Sequence, residues 1–127
     1  MTRYLLDTNV LIDYSKGTTT VVAQVQAWVA AGDEVGISAV QIAEFFSGVP
    51  TVDFRAWTII LDAYERWPLG DVVARRAGKY RHDFARQGVQ ISTPDALTAA
   101  LARDRAAILV TRNVRDFPMR DIQILSL

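Results

Sequence analysis

The sequence has no cysteine and a single histidine, His82, in 127 residues. Disulfides and thiolate metal sites are thereby excluded, and one histidine cannot anchor a typical zinc centre. Net charge is missing as well, because 14 Lys and Arg balance 14 Asp and Glu. Such a balance argues against a nucleic-acid binder held by bulk electrostatics, while leaving room for a basic patch set against an acidic one. No apolar run reaches the length of a bilayer span, and no charged region leads a long apolar segment at the N-terminus. Neither a membrane span nor a signal peptide is therefore expected. What is present is a chain 50% hydrophobic, with three Trp, five Phe and four Tyr. That composition suits a single domain over residues 1–127 with a proper core, placed in the cytoplasm.

Apolar periodicity divides the chain into alternating strands and helices. Residues 4–6 read as a short buried strand and 9–15 as a brief helix stopped near Gly17; 18–31 form a second helical run ended by Gly32. Residues 35–38 are the second strand. Ser38 followed by Gln41 is a capping-box pattern that opens a helix over 39–47, before Gly48 and Pro50 break it. Residues 53–66 repeat apolar side chains at helical spacing, and 67–69 read as a third, very short strand despite Pro68. Asp71 is placed to cap a helix that runs to Gln87 and stops at Gly88. Thr93-Pro94 opens another, with proline at the favoured first position, continuing to about residue 106. Residues 107–110 and 122–125 are the fourth and fifth strands. This order predicts a three-layer α/β/α fold around a mainly parallel five-stranded sheet.

In such sheets ligands bind outside the carboxyl ends of the strands. Asp7 closes the first strand, Ser38 the second, and Thr111, Arg112 and Asn113 follow the fourth. A helix that precedes a parallel strand runs against it, which brings Asp95, in the first turn after Thr93-Pro94, to the same rim. Glu44 lies in VQIAEFF, a helix apolar on most faces, and a glutamate buried there would need a partner. Each acid has an ordinary alternative. Asp7 can cap a turn, Glu44 can sit on a narrow wet face, and Asp95 can answer the helix dipole. Together they place three carboxylates at one crevice with no fixed cation at a matching position. Like charges so packed raise one another's pKa, and a hard divalent cation such as Mg2+ or Mn2+ supplies the missing positive charge.

The chain resembles PIN-domain nucleases, and more narrowly the VapC-type toxins of bacterial type II toxin–antitoxin systems. LLDTNVLID is similar to that family's opening motif, ISAVQIAEFFSGV to its second, TPDALTAALA to its third and ILVTRNVRDF to its fourth. The blocks lie in the family's order and cover nearly the whole length. The resemblance implies a Mg2+- or Mn2+-dependent endoribonuclease with Asp7, Glu44 and Asp95 as core acids. It would cleave single-stranded or loop RNA with a metal-activated water and leave a 5′-phosphate and a 3′-hydroxyl. It also implies a homodimer and a cognate antitoxin. One departure stands out: the family often has a fourth acid after the Thr-Arg of the last motif, where this chain has Asn113. Asp116, three residues on, is the candidate replacement, and Asn113 itself can hold a water by its amide; Asp116 can equally cap a turn.

Around these acids, Asn9, Ser38 and Thr111 are candidates to hydrogen-bond the carboxylates, or equally to cap backbone. Arg112 and Arg115 adjoin the rim and suit phosphate contact. Arg75, Lys79, His82 and Arg86 form a stripe opposite the apolar face of their helix, which is either a solvated face or a guide for the RNA backbone. Two rival readings remain at this level. A haloacid-dehalogenase-like phosphotransferase would need a second Asp two residues after the first, and that position is Asn9. A PIN-like binding module with impaired catalysis is left open by Asn113.

Overall fold

In β1 (Arg3–Leu6) and β4 (Ile108–Thr111), neighbouring side chains point to opposite faces of the sheet. Leu5 and Leu109 enter one apolar cluster, Leu6 and Val110 the other. Strands apolar on both faces belong in a parallel sheet covered on both sides. The computed structural model, which describes residues 1–127, has that architecture. β2 (Glu34–Ile37), β3 (Glu65–Arg66) and β5 (Gln123–Ser126) complete a sheet of order β3-β2-β1-β4-β5 with every pairing parallel. The α/β/α fold expected from the element order is the fold observed.

Six helices cover the sheet: α1 (Thr8–Ser15), α2 (Thr19–Ala30), α3 (Ala39–Phe46), α4 (Phe54–Leu61), α5 (Asp71–Ala85) and α6 (Thr93–Asp104). On one face α1 to α4 contribute Val10, Val25, Phe45 and Leu61 to a common cluster. On the other, α5 and α6 contribute Val73, Ala77, Ala99 and Leu101. The run of alanines in α6 lies on its buried side, where Ala96, Ala99 and Ala100 are wholly buried. No helix is long and apolar enough to cross a membrane.

Three expectations need correction. The helix expected over 53–66 is a 3-10 turn, Thr51–Asp53, followed by α4, which ends at Leu61. Tyr64 turns its N–H back to the Leu61 carbonyl, and the Arg66 guanidinium donates to the same oxygen at 2.7 Å. The chain then pairs with β2 as Glu65–Arg66, ahead of the apolar residues 67–69. Backbone pairing, rather than apolarity, fixes this edge strand: Trp67 N–H still reaches the Ile37 carbonyl at 2.9 Å, and Pro68 has no N–H to continue. At the start of α5, Gly70 takes the capping position and Asp71 is the first helical residue, paired with Arg75 one turn on.

Trp67 itself closes the sheet edge. Its ring lies over Gly36, where an added Cβ would overlap the ring carbons. The indole N–H donates to Glu65, and the Arg105 guanidinium sits 5.5 Å above the ring. Gly36→Ala should therefore overpack the edge and cost about 1–3 kcal/mol. Urea unfolding followed by tryptophan fluorescence checks this, and an unchanged midpoint would show that the ring shifts freely.

Candidate active site

The end of β1 turns into α1 at Asp7, whose backbone is extended and whose carboxylate caps the helix by accepting the Thr8 N–H at 2.9 Å. Asp7 is only 7% exposed. Its second oxygen accepts the Thr111 hydroxyl at 2.8 Å and the Asn9 amide at 3.2 Å. The cap expected of Asp7 and the carboxylate site expected of it are thus one arrangement. Asn9 also receives the Arg112 backbone N–H on its carbonyl, and the Asn113 backbone N–H donates to the Thr111 hydroxyl. In this way β1, α1 and the segment after β4 are laced together around a single carboxylate.

Burial pushes the Asp7 carboxyl up from its ordinary value, against the lowering effect of the Thr111 and Thr8 hydrogen bonds, and the Glu44 charge raises it further. Asp95 is half-buried in the first turn of α6, which Ser92 caps by accepting the Asp95 N–H at 3.2 Å. Its carboxyl is also raised, first by burial, then by the charges of Asp7, Asp116 and Glu44, with Ser92 acting in the opposite sense. Three acids from three other segments, Asp7, Glu44 and Asp116, therefore lie within electrostatic reach of Asp95, and Glu44 is also within reach of Asp7.

Glu44 was expected in a buried helix face, and it is exposed. The helix is less enclosed than its composition suggested, because Ala39 and Ala43 also face outward. Glu44 is nevertheless fixed on the rim: its carboxylate accepts the Thr8 hydroxyl at 2.6 Å. Asp116 stands in an exposed 3-10 turn, Val114–Asp116, after β4. Ser38 completes the expected capping box, but its hydroxyl goes to Gln41 at 2.6 Å and to no carboxylate. Asn113 is exposed and enters the network through its backbone.

Among the basic residues, Arg112 pairs with Asp13 at 3.2 Å, and Arg115 is exposed with no ion pair. Arg75 and Lys79 pair along their own helix with Asp71 and Asp83, and neither they nor Arg86 bond any of the four acids. Thr8 and Asp13 were not singled out from the sequence. A carboxylate inside the apolar run VLID was a legible sign for Asp13, since a buried charge needs a partner. Nothing local distinguished Thr8.

The donors at this rim are carboxylate oxygens with hydroxyl and amide neighbours, a set that suits a hard divalent cation. No three acids stand close enough to ligate one ion together. A small cation here would be held by one or two carboxylates with water completing its shell, as Mg2+ tolerates. Asp7 and Asp95 are the acids whose ionisation the fold disfavours most clearly, and a cation held by them would relieve that cost.

Residues 4–122 match the family model described as PIN domain. Ribonuclease VapC10 of Mycobacterium tuberculosis is 33% identical over 118 residues, covering 91% of this chain and 86% of that protein. Ribonuclease VapC2 of Haemophilus influenzae is 27% identical over 122 residues, covering 92% and 91%. In structure, VapBC2 from Rickettsia felis, bound to a DNA fragment from its promoter, superposes with a TM-score of 0.86 at 21% identity over 98% of both chains. VapBC-1 from nontypeable Haemophilus influenzae gives 0.84 at 24% identity over 98% and 97%.

A raised carboxyl means that the native state holds its proton more tightly than the unfolded chain. The stability this confers is complete below the ordinary value of 3.8 and is lost as pH rises through the higher native value. In EDTA, Asp95→Asn should therefore melt above wild type at neutral pH, and the gap should close as pH falls toward the ordinary carboxylate range. Calorimetric melts across pH check this; a variant that melts lower throughout would make Asp95 a helix-dipole residue alone.

Proposed function

The chain belongs to the PIN-domain family, in its VapC-type branch, and from that premise we propose that it is a Mg2+- or Mn2+-dependent endoribonuclease, the toxin of a type II toxin–antitoxin pair. The observation that carries the reading is the acidic rim at the carboxyl ends of parallel strands, where Asp7, Glu44 and Asp116 all bear on Asp95 and Glu44 bears on Asp7. A cation held by Asp7 and Asp95 would supply charge neutralisation at the scissile phosphate and a lowered pKa for water. The protein's own groups divide the remaining work. Asp7, with both oxygens already accepting hydrogen bonds, is a fixed ligand that cannot swing. Asp95 has only Ser92 bonded beside it and is half-open, so it is the group free to orient the attacking water and take its proton. In-line attack on phosphorus breaks the P–O3′ bond, leaving a 5′-phosphate and a 3′-hydroxyl.

Asp116 completes the acid set in place of the family's usual residue at Asn113, its charge being felt at Asp95. Arg112, steadied by Asp13, and Arg115 are the phosphate contacts. Arg75, Lys79 and Arg86 extend the basic surface; the pairs made by Arg75 and Lys79 are exposed and worth little, so RNA can displace them. Single-stranded or loop RNA fits because its backbone is accessible from an open rim. The VapBC neighbours support a cognate antitoxin. An Arg or Lys of that partner would answer the acids. A groove of about 300 Å³ between α2 and α4, where Val29 and Ile60 stand exposed, offers a seat for its apolar residues. Val52 and Ile59, also exposed, offer surface for a homodimer. A cytoplasmic setting, where RNA and antitoxin meet, goes with this reading.

Asp7→Asn or Asp95→Asn should abolish Mg2+- or Mn2+-dependent cleavage of single-stranded RNA while the circular dichroism spectrum stays intact. Asp116→Asn should cleave, but require more metal for half-maximal rate. Full activity in both core variants would overturn the four-acid reading, and an unchanged metal titration would return Asp116 to the turn.

A further inference from the structure

Three side chains away from the carboxylates form a directed polar chain in the core. The Ser38 hydroxyl donates to Gln41 Oε1 at 2.6 Å, Gln41 Nε2 donates to the Thr98 hydroxyl at 2.8 Å, and Thr98 donates to the Pro94 carbonyl at 2.9 Å. Ser38, Gln41 and Thr98 are 1%, 0% and 1% exposed. Every polar atom in the chain has a partner. Burying so many polar groups is costly unless each bond is kept, and it ties the two helices to a single register: sliding α3 along α6 would orphan the Gln41 amide.

The position of this bridge gives it a consequence for the rim. Gln41 lies three residues before Glu44 on α3, one turn away, and Thr98 lies three residues after Asp95 on α6. The last acceptor, the Pro94 carbonyl, belongs to the residue immediately before Asp95. Two acids on separate elements are thus each one turn from the same buried bond. We propose that the Gln41–Thr98 bridge sets the separation of Glu44 and Asp95, so that Gln41 and Thr98 are positioning residues for the cation site. The proposal rests on the reading of that rim as a cation site. The bridge acts through the helices and touches neither ion nor RNA. Apolar residues could fill the same space, but they slide past one another and would leave the acid spacing unpinned.

The test uses the whole chain without RNA. Mn2+ binding is followed by electron paramagnetic resonance of the free ion. In parallel, spin labels at Ala43→Cys and Asp104→Cys, both exposed, report the distance between α3 and α6; the chain has no cysteine of its own to interfere. Thr98→Val, which keeps the shape and removes the hydroxyl, should raise the Mn2+ dissociation constant by about tenfold or more and shift or broaden the label distance. Thr98→Ser should restore both. If Thr98→Val does not fold, Gln41→Leu/Thr98→Val removes both partners at once and takes its place, with the same loss of Mn2+ affinity expected. A folded variant lacking the bridge, yet with wild-type Mn2+ affinity and label distance, overturns the proposal. A wild-type chain that binds no Mn2+ while the variant's label distance still broadens leaves the bridge in its positioning role and overturns the cation-site reading instead.

Discussion

A carboxylate taken out of water survives only if donors replace the hydration it loses. Asp7 meets that condition through the Thr8 N–H, the Asn9 amide and the Thr111 hydroxyl. Those donors come from the start of α1 and the end of β4, so the site exists only once β1 and β4 have paired at the centre of the sheet. The two apolar clusters hold that pairing from both faces. The residues that place Asp7 are thereby the residues that define the carboxyl rim, and the other acids are arranged around it.

Around this fixed group the acids are tethered with decreasing firmness. Glu44 is held by one hydroxyl, Asp95 has Ser92 beside it, and Asp116 stands exposed on a short turn. Such a gradient suits a site that must keep one ligand immobile, give another freedom to work on water, and let a third adjust as substrate enters. It also accounts for how a chain of zero net charge can serve an anionic substrate. The acids are gathered at the rim, where the proposed cation would invert their effect; Arg115 directly precedes Asp116, and Arg112 lies on the same segment after β4.

Local pattern carried most of the fold. The Ser38–Gln41 capping box, proline at the start of α6 and apolar runs at β1 and β4 each depend on neighbours in sequence, and each element formed where expected. Failures arose where distant contacts decide. Glu65 and Arg66 became strand because Gly36 and Ile37 were there to pair with them, which no property of WPL could reveal. Burial of Glu44 was inferred from its flanking residues, yet exposure depends on which side of α3 the rest of the chain covers. Its place on the rim was legible from topology, whereas its tether to Thr8 was not. Gln41 was readable as a cap, but its bond to Thr98, 57 residues away, was not.

A cation shared by acids of this rim would have Asp7 as its fixed point. Anomalous diffraction at the manganese edge, from crystals equilibrated with Mn2+, tests that location directly. The account requires a peak within coordination distance of an Asp7 oxygen, with occupancy lost or sharply reduced in Asp95→Asn crystals treated alike. No peak at the rim under conditions where the protein cleaves RNA, or a peak of equal strength in the variant, would contradict it.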